Sequence, residues 1–452
     1  MQPIAAPKPL WRTFLTFLWP MMLSNVLQAL SGTLNNIYLG HMIGVQALAA
    51  ASMVFPIVFF FIAFIMGLST GATVLIGQAF GARDEERLKA VAGVATTTAI
   101  IAGIGVGILG VVFAPQLMGL LAAPADIYEA AVAYTRAISF AMPPLFVFLL
   151  YTAMLRGVGD TRTPLWALTV STLVGLVVTP LLIKGWVGLP PLGAASAAWA
   201  SIASSLAGMG WLGWTLRKRG HALAPDASFL ERMKLDPTIL KLVLRIGIPT
   251  GLQMVAMSLA ELVLLGLVNG YGSDATAAYG AVNQVMAYVQ FPALSIAITA
   301  SILGAQAIGA GQTDRLRPIV RTAMLMNLVI TGGGVLVCYL FAEPIVRVFI
   351  SRTEVVDLTR TLLHIVLWSC IVMGMGAIIS SIMRASGEVL IPTAISIAVI
   401  LLVEAPTGWL LSQRFGVTGV WWAWPAAFST IFLLQGAYYR LVWSKKRIRR
   451  LV

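Results

Sequence analysis

Charge is what this 452-residue chain has least of: 10% of its residues are Asp, Glu, Lys or Arg, against 59% hydrophobic. A water-soluble globule of this length needs more polar surface than that, so the composition places the chain in lipid. Cysteine is nearly absent as well. Cys338 and Cys370 both fall inside apolar runs and share no metal-ligand spacing, which argues against a disulfide framework or a cysteine-held metal. No GxxxxGK[ST] phosphate loop, HExxH pair or nucleophile elbow occurs. The expectation is therefore a protein that is not an enzyme, takes no cofactor and does not run on ATP.

What the chain does have is room for about twelve apolar spans, each of roughly 20–25 residues, and almost nothing else. The spans are expected near 13–39, 47–75, 90–114, 129–155, 163–184, 192–216, 243–268, 275–303, 318–341, 358–382, 390–412 and 417–443. The fold class is thus an all-α integral membrane protein with twelve transmembrane helices. Lys8 and Arg12 precede the first run as they would in a signal peptide, but that run is too long and lacks a cleavage site, so it reads as a retained span.

The net charge of +13 would suggest nucleic acid in a soluble protein. Here the 30 basic residues divide 24 to 6 between the two faces of the expected topology. This is the positive-inside pattern: it puts both termini in the cytoplasm, in a bacterial inner membrane, and removes the case for a nucleic-acid partner. The expected partners are small organic substrates and the lipid bilayer, with the chain a monomer.

The sequence also repeats itself at an offset of 228 residues. Gly44-Val45-Gln46-Ala47 matches Gly272-Ser273-Asp274-Ala275, Gln78-Ala79-Phe80-Gly81-Ala82 matches Gln306-Ala307-Ile308-Gly309-Ala310, Arg156 with Pro164 matches Arg384 with Pro392, and Gly159-Asp160 matches Gly387-Glu388. An even number of spans per copy gives both copies the same orientation, hence two pseudo-twofold-related six-helix lobes. The lobes are expected at 1–216 and 242–452, with the polar stretch 217–241 as a cytoplasmic linker.

The turns GQAFGAR (77–83), GAQAIGAGQTDRLRP (304–318), MLRGVGDTRTP (154–164) and IMRASGEVLIP (382–392) have folding reasons of their own: glycine after a helix end, charges matched to helix dipoles, proline near the next start. Together with LNNIYLGHMIGVQALAAAS (34–52) and Ala277-Ala278-Tyr279-Gly280, they resemble the multidrug and toxic compound extrusion (MATE) family over essentially the whole chain. That resemblance implies a central cleft and antiport of organic compounds against sodium or protons. The alternative is a lipid-linked or polysaccharide flippase of the same superfamily, whose cleft would need basic residues for pyrophosphate. No Lys or Arg falls mid-span here.

Of seventeen acids, only Glu261 and Glu404 fall deep in apolar spans. An intramembrane carboxylate costs about 2.5–3.5 kcal/mol on insertion scales and is a functional candidate for that reason. Both belong to the C-terminal repeat, at heights matched to each other and to His364. These three are the expected ion-coupling residues, with H+ or Na+ as the ion and Glu261 and Glu404 as a Na+ site if sodium is used. Helix-packing hydrogen bonds are the bland alternative for the acids, as an interfacial histidine is for His364. Pro406, two residues beyond Glu404, would free backbone carbonyls or simply kink the helix.

The chain departs from the family pattern in having Asn35 where many relatives carry an Asp, and Met257 and Met373 where a sodium-linked branch carries acids. Asn35, Asn36, Met257, Met286, Tyr288, Trp368 and Met373 are expected to line the substrate cleft, since polar, soft and aromatic side chains suit a promiscuous site. Interhelical hydrogen bonding is the alternative for the asparagines, and plain packing for the rest.

Overall fold

A computed structural model describes residues 9–121, 123–125, 127–185, 193–347 and 352–452, leaving out the side chains of residues 36, 40, 45–49 and 194. Among the described residues there is no strand. The N-terminal repeat contains α1 (Leu10–Tyr38), which runs into a π-helical turn at Leu39–Ile43, then α2 (Val45–Gly81), α3 (Glu85–Leu120), α4 (Tyr128–Gly157), α5 (Arg162–Lys184) and α6 (Ser196–Lys218). The short α7 (Ala227–Glu231) sits in the linker. The second repeat contains α8 (Pro237–Asn269), α9 (Ser273–Gly309), α10 (Leu316–Leu340), the short α11 (Ala342–Arg347), α12 (Thr353–Val366) and α13 (Ser369–Ala385). It continues with α14 (Leu390–Val399), a second π-helical turn at Ile400–Glu404, α15 (Ala405–Phe415), α16 (Val417–Val420) and α17 (Ala423–Leu441).

Eleven helical stretches are long and apolar enough to cross a membrane. The twelfth of the fold, α6, has the length, but its serines, glycines and tryptophans count as polar in a hydropathy average. Several helices outrun their apolar segments. The second and eighth spans end at Gly81 and Gly309, beyond the expected 75 and 303, because the hydrogen-bonded ladder continues past the hydrocarbon until a glycine turn stops it.

The repeat is written into the backbone as well as the sequence. Left-handed conformations occur at Gly44 and Gly272, at Arg83 and Gly311, and at Gly159 and Gly387, each pair 228 residues apart. Arg83 is the one non-glycine among the described residues to hold such a conformation (φ 59°), in the turn whose counterpart is glycine.

The chain packs as two units, one of Leu23–Gly251 and one of residues 10–22 with Leu252–Val452. The first turns of α1 and α8 thus belong to the unit of the other repeat, an exchange that repeat spacing alone does not signal. In the first unit, glycines bring helices close: a Cβ at Gly103 would meet the Pro143 backbone, and one at Gly67 would meet the backbone of Gly247 and Gly251. The sequence also places three consecutive glycines, Gly332, Gly333 and Gly334, inside α10. A Cβ at Gly332 would touch Ile371 at 3.6 Å, but Gly333 and Gly334 have nothing within 4 Å and do not serve packing. In the second unit, one core gathers Leu264, Tyr279, Val282, Trp421 and Trp424, and another gathers Phe14, Ile296, Met383 and Trp443.

The linker is docked. Tyr151 donates to the Leu223 carbonyl at 2.6 Å, Phe229 is buried against the Tyr151 ring, and Asp226 caps α7 by accepting from the Phe229 N–H at 2.8 Å. Lys89 and Glu86 of α3 meet Asp226 and Arg232 at 3.6 and 2.8 Å. Within this segment the His221 Nδ1 accepts from the Leu223 N–H at 3.1 Å, and burial holds the imidazole below its ordinary value. The neutral ring fits the fold, so its contribution is complete above about pH 6.5 and is lost as pH falls below that. Amide exchange at Leu223, corrected for intrinsic rate, is expected to speed up between pH 7.5 and 5. A constant protection factor over that interval would contradict this account.

Candidate functional site

Glu404 is the last residue of the π-helical turn Ile400–Glu404. The Ala405 N–H reaches back five residues to the Ile400 carbonyl, and Pro406 follows with no N–H to give. The wider turn is the helix's accommodation of that proline. The corresponding stretch of the first repeat, 172–176 in α5, is uninterrupted α-helix. Glu404 is 7% exposed and Glu261, on α8, is exposed; each lies within electrostatic reach of the other. The ion pairs among the described residues lie at helix ends and loops. Among the described residues none includes Glu261 or Glu404.

Tyr279 of α9 lies near both. Its hydroxyl donates to the Glu261 backbone carbonyl at 3.4 Å, bonds with the Asn283 side chain, and lies in range of both carboxylates. Its ring packs at 5.4 Å from Trp421 and 6.1 Å from Trp424, so aromatic contacts fix the phenol. Among the described residues the buried Trp421 Nε1 has no hydrogen-bond partner. Sequence reasoning missed Tyr279, Asn283 and Trp421, because a tyrosine or tryptophan in an apolar span reads as packing until its neighbours are known.

His364 sits apart from this cluster, at a second interruption. Between α12 and α13 the Trp368 N–H should bond the His364 carbonyl. Instead the Tyr339 hydroxyl of α10 accepts from the Trp368 N–H and donates to the His364 carbonyl, both at 3.1 Å. A side chain is thus inserted into the helical ladder and breaks it there. The Tyr339 ring stacks on the His364 imidazole (4.8 Å between centroids, 4° between planes), whose Nδ1 bonds the Arg360 carbonyl at 2.7 Å. His364 and Trp368 share a cavity of about 490 Å³ with Asp357, Arg360, Thr361, Ile365 and Trp422. The matching stretch of α4 is continuous.

The expected cleft residues scatter. Asn35 accepts from Thr179 Oγ1 of α5 at 3.4 Å, an interhelical bond, while the Asn36 side chain lies outside the described residues. Met257, Tyr288 and Trp368 are exposed, and Tyr288 sets its ring edge-on to Phe291 at 5.8 Å. Met373 packs against the core. Met286 is enclosed in that core, where a lining residue needs exposed surface. Among the described residues no group of three or more His, Cys, Asp or Glu could hold a metal. Tyr339→Phe removes the inserted hydroxyl and leaves the Trp368 N–H without it, at a cost of about 1–3 kcal/mol. The expected result is faster amide exchange at Trp368 and a lower thermal midpoint; unchanged exchange would mean the hydroxyl does not hold the break.

The family model MatE matches the chain twice, at residues 20–181 and 249–410, starts 229 residues apart. The chain is 41% identical over 444 residues to the "Probable multidrug resistance protein YoeA" of Bacillus subtilis, covering 98% of this chain and 96% of that one. It is 24% identical to the "Probable multidrug resistance protein NorM" of Thermotoga maritima, covering 96% and 94%. Its fold matches that of the Vibrio cholerae MATE transporter VcmN D35N mutant with a TM-score of 0.87 and 21% identity, covering 97% and 98%. The double match at the spacing of the internal repeat, together with the full-length likeness, establishes that the chain is a multi-pass membrane protein belonging to the MatE family of transporters.

Proposed function

We propose that this protein exports organic compounds, cationic or amphiphilic ones included, from the bacterial cytoplasm by alternating access, driven by an inward gradient of protons or sodium. The basic residues support an orientation with both termini inside. The relatives' names, multidrug resistance proteins, support drugs as a substrate class.

One observation carries the coupling: two carboxylates on helices of the same unit, in mutual electrostatic reach, with no cationic side chain among the described residues paired to either. Two such groups in a poorly hydrated site cannot both stay ionised without a counter-charge. A proton shared between them or a bound Na+ supplies it. Exposed Glu261 meets the incoming ion, buried Glu404 keeps it, and Tyr279 and Asn283 fix the distance between them. The π turn adds backbone carbonyls loosened by Pro406 as further ligands. An ion bound more tightly in one conformation than the other can drive the cycle, and only by that difference.

The flippase reading needs cations at depth for pyrophosphate, and none of the spans carries one mid-membrane. Coupling is tested in proteoliposomes with sodium and pH gradients imposed separately. Glu261→Gln and Glu404→Gln keep shape and hydrogen bonding while removing the titratable charge. Each variant is expected to fold and bind substrate and to lose gradient-driven export at least tenfold. Export at wild-type rates by both variants under either gradient would place the coupling elsewhere.

A further inference from the structure

The C-terminal end of α6 carries a groove of about 550 Å³ lined by Gly210, Gly213, Trp214, Arg217, Lys218 and Pro225. Its floor is bare. A Cβ at Gly210 would meet nothing within 4 Å, and one at Gly213 would touch only Pro225, at 3.6 Å. The two glycines lie three residues apart on one helix face and leave it without side chains along the groove. Trp214, 61% exposed, forms one wall. It stands at the end of a membrane-length helix, where an indole suits the level of lipid headgroups.

The rim is cationic without compensation. The Lys218 ammonium lies 5.0 Å from the centre of the Trp214 ring. Arg217 donates from Nε and Nη2 to the Pro225 carbonyl at 2.9 and 2.6 Å, which uses part of its five-donor fork and holds the rest at the groove. Among the described residues no carboxylate forms an ion pair with Arg217, Lys218 or Arg219. Asp226, beside Pro225, is committed to Ser228, to the Phe229 N–H and to Lys89. A phosphodiester therefore finds two cations here, and a choline or ethanolamine finds no free acid.

We propose that this groove binds one anionic phospholipid, with its phosphate on Lys218 and Arg217 and one acyl chain laid along Gly210 and Gly213 beside Trp214. The charge, the bare apolar furrow and the tryptophan each select a different part of that molecule. Bound there, the lipid joins the end of α6 to the linker through Arg217 and the Pro225 carbonyl. The site is independent of the acid pair, so its failure leaves the coupling proposal untouched.

Native mass spectrometry of the full chain tests this, with dioleoyl phosphatidylglycerol or dioleoyl phosphatidylcholine added to delipidated protein. The wild type is expected to retain one phosphatidylglycerol and little phosphatidylcholine. Lys218→Gln should lower that retention about fivefold, the effect of one cation at an anionic lipid surface. Lys218→Arg should keep it, and Gly210→Leu, which fills the furrow at an exposed position, should lower it with the charge intact. Phosphatidylglycerol should also raise the thermal midpoint of the wild type but not of Lys218→Gln. Equal retention by Lys218→Gln and Gly210→Leu would overturn the proposal. So would equal binding of phosphatidylcholine, or the same midpoint rise from inorganic phosphate alone.

Discussion

In hydrocarbon every backbone N–H and C=O must find its partner inside the protein, and that constraint shapes this structure more than any single contact. It makes the described spans helical, and it makes each break in the helical ladder costly enough to need a local cause. The causes are visible. The Tyr339 hydroxyl fills the gap between α12 and α13, and Pro406 forces the π turn that ends on Glu404. Each break lies next to a polar residue that an apolar span would otherwise exclude, His364 in one case and Glu404 in the other.

The internal repeat provides a control within the molecule. Both copies share the same glycine turns at the same spacing, so the two halves began from one plan. Yet the first copy keeps α4 and α5 whole where the second is broken, and it has Leu176 where the second has Glu404. The buried acid and the breaks at α12–α13 and at Ile400–Glu404 belong to the second copy, while the first has one π-helical turn of its own, at Leu39–Ile43. The first copy instead ties α1 to α5 with neutral bonds, Thr179 to Asn35 and Tyr38 to the Leu176 carbonyl. This asymmetry is consistent with the proposed ion site in the C-terminal repeat.

Much of the architecture was legible from the chain. Apolar runs gave the spans, the 228-residue offset gave the repeat, and Glu261 and Glu404 stood out because a carboxylate in lipid has to be explained. Helix ends were less legible, since hydropathy marks the hydrocarbon and the backbone marks the helix. Gly81 shows this, six residues past the expected end of its span. Tyr279 and Tyr339 were invisible as anything but packing, because their roles depend on residues 18 and 25 positions away that only the fold brings beside them. The exchange of the first parts of α1 and α8 between units is not signalled by the repeat, whose copies have the same order of spans.

The central claim is that the Glu261–Glu404 pair holds the coupling ion and that ion and substrate binding are linked through it. The direct measurement is ion release on substrate addition to purified protein, followed as protons in weakly buffered solution and as displaced sodium in a parallel sample. The account predicts release of one of the two ions by the wild type and none by the Glu261→Gln, Glu404→Gln double variant under conditions where both bind substrate. Undiminished release from the double variant would contradict it.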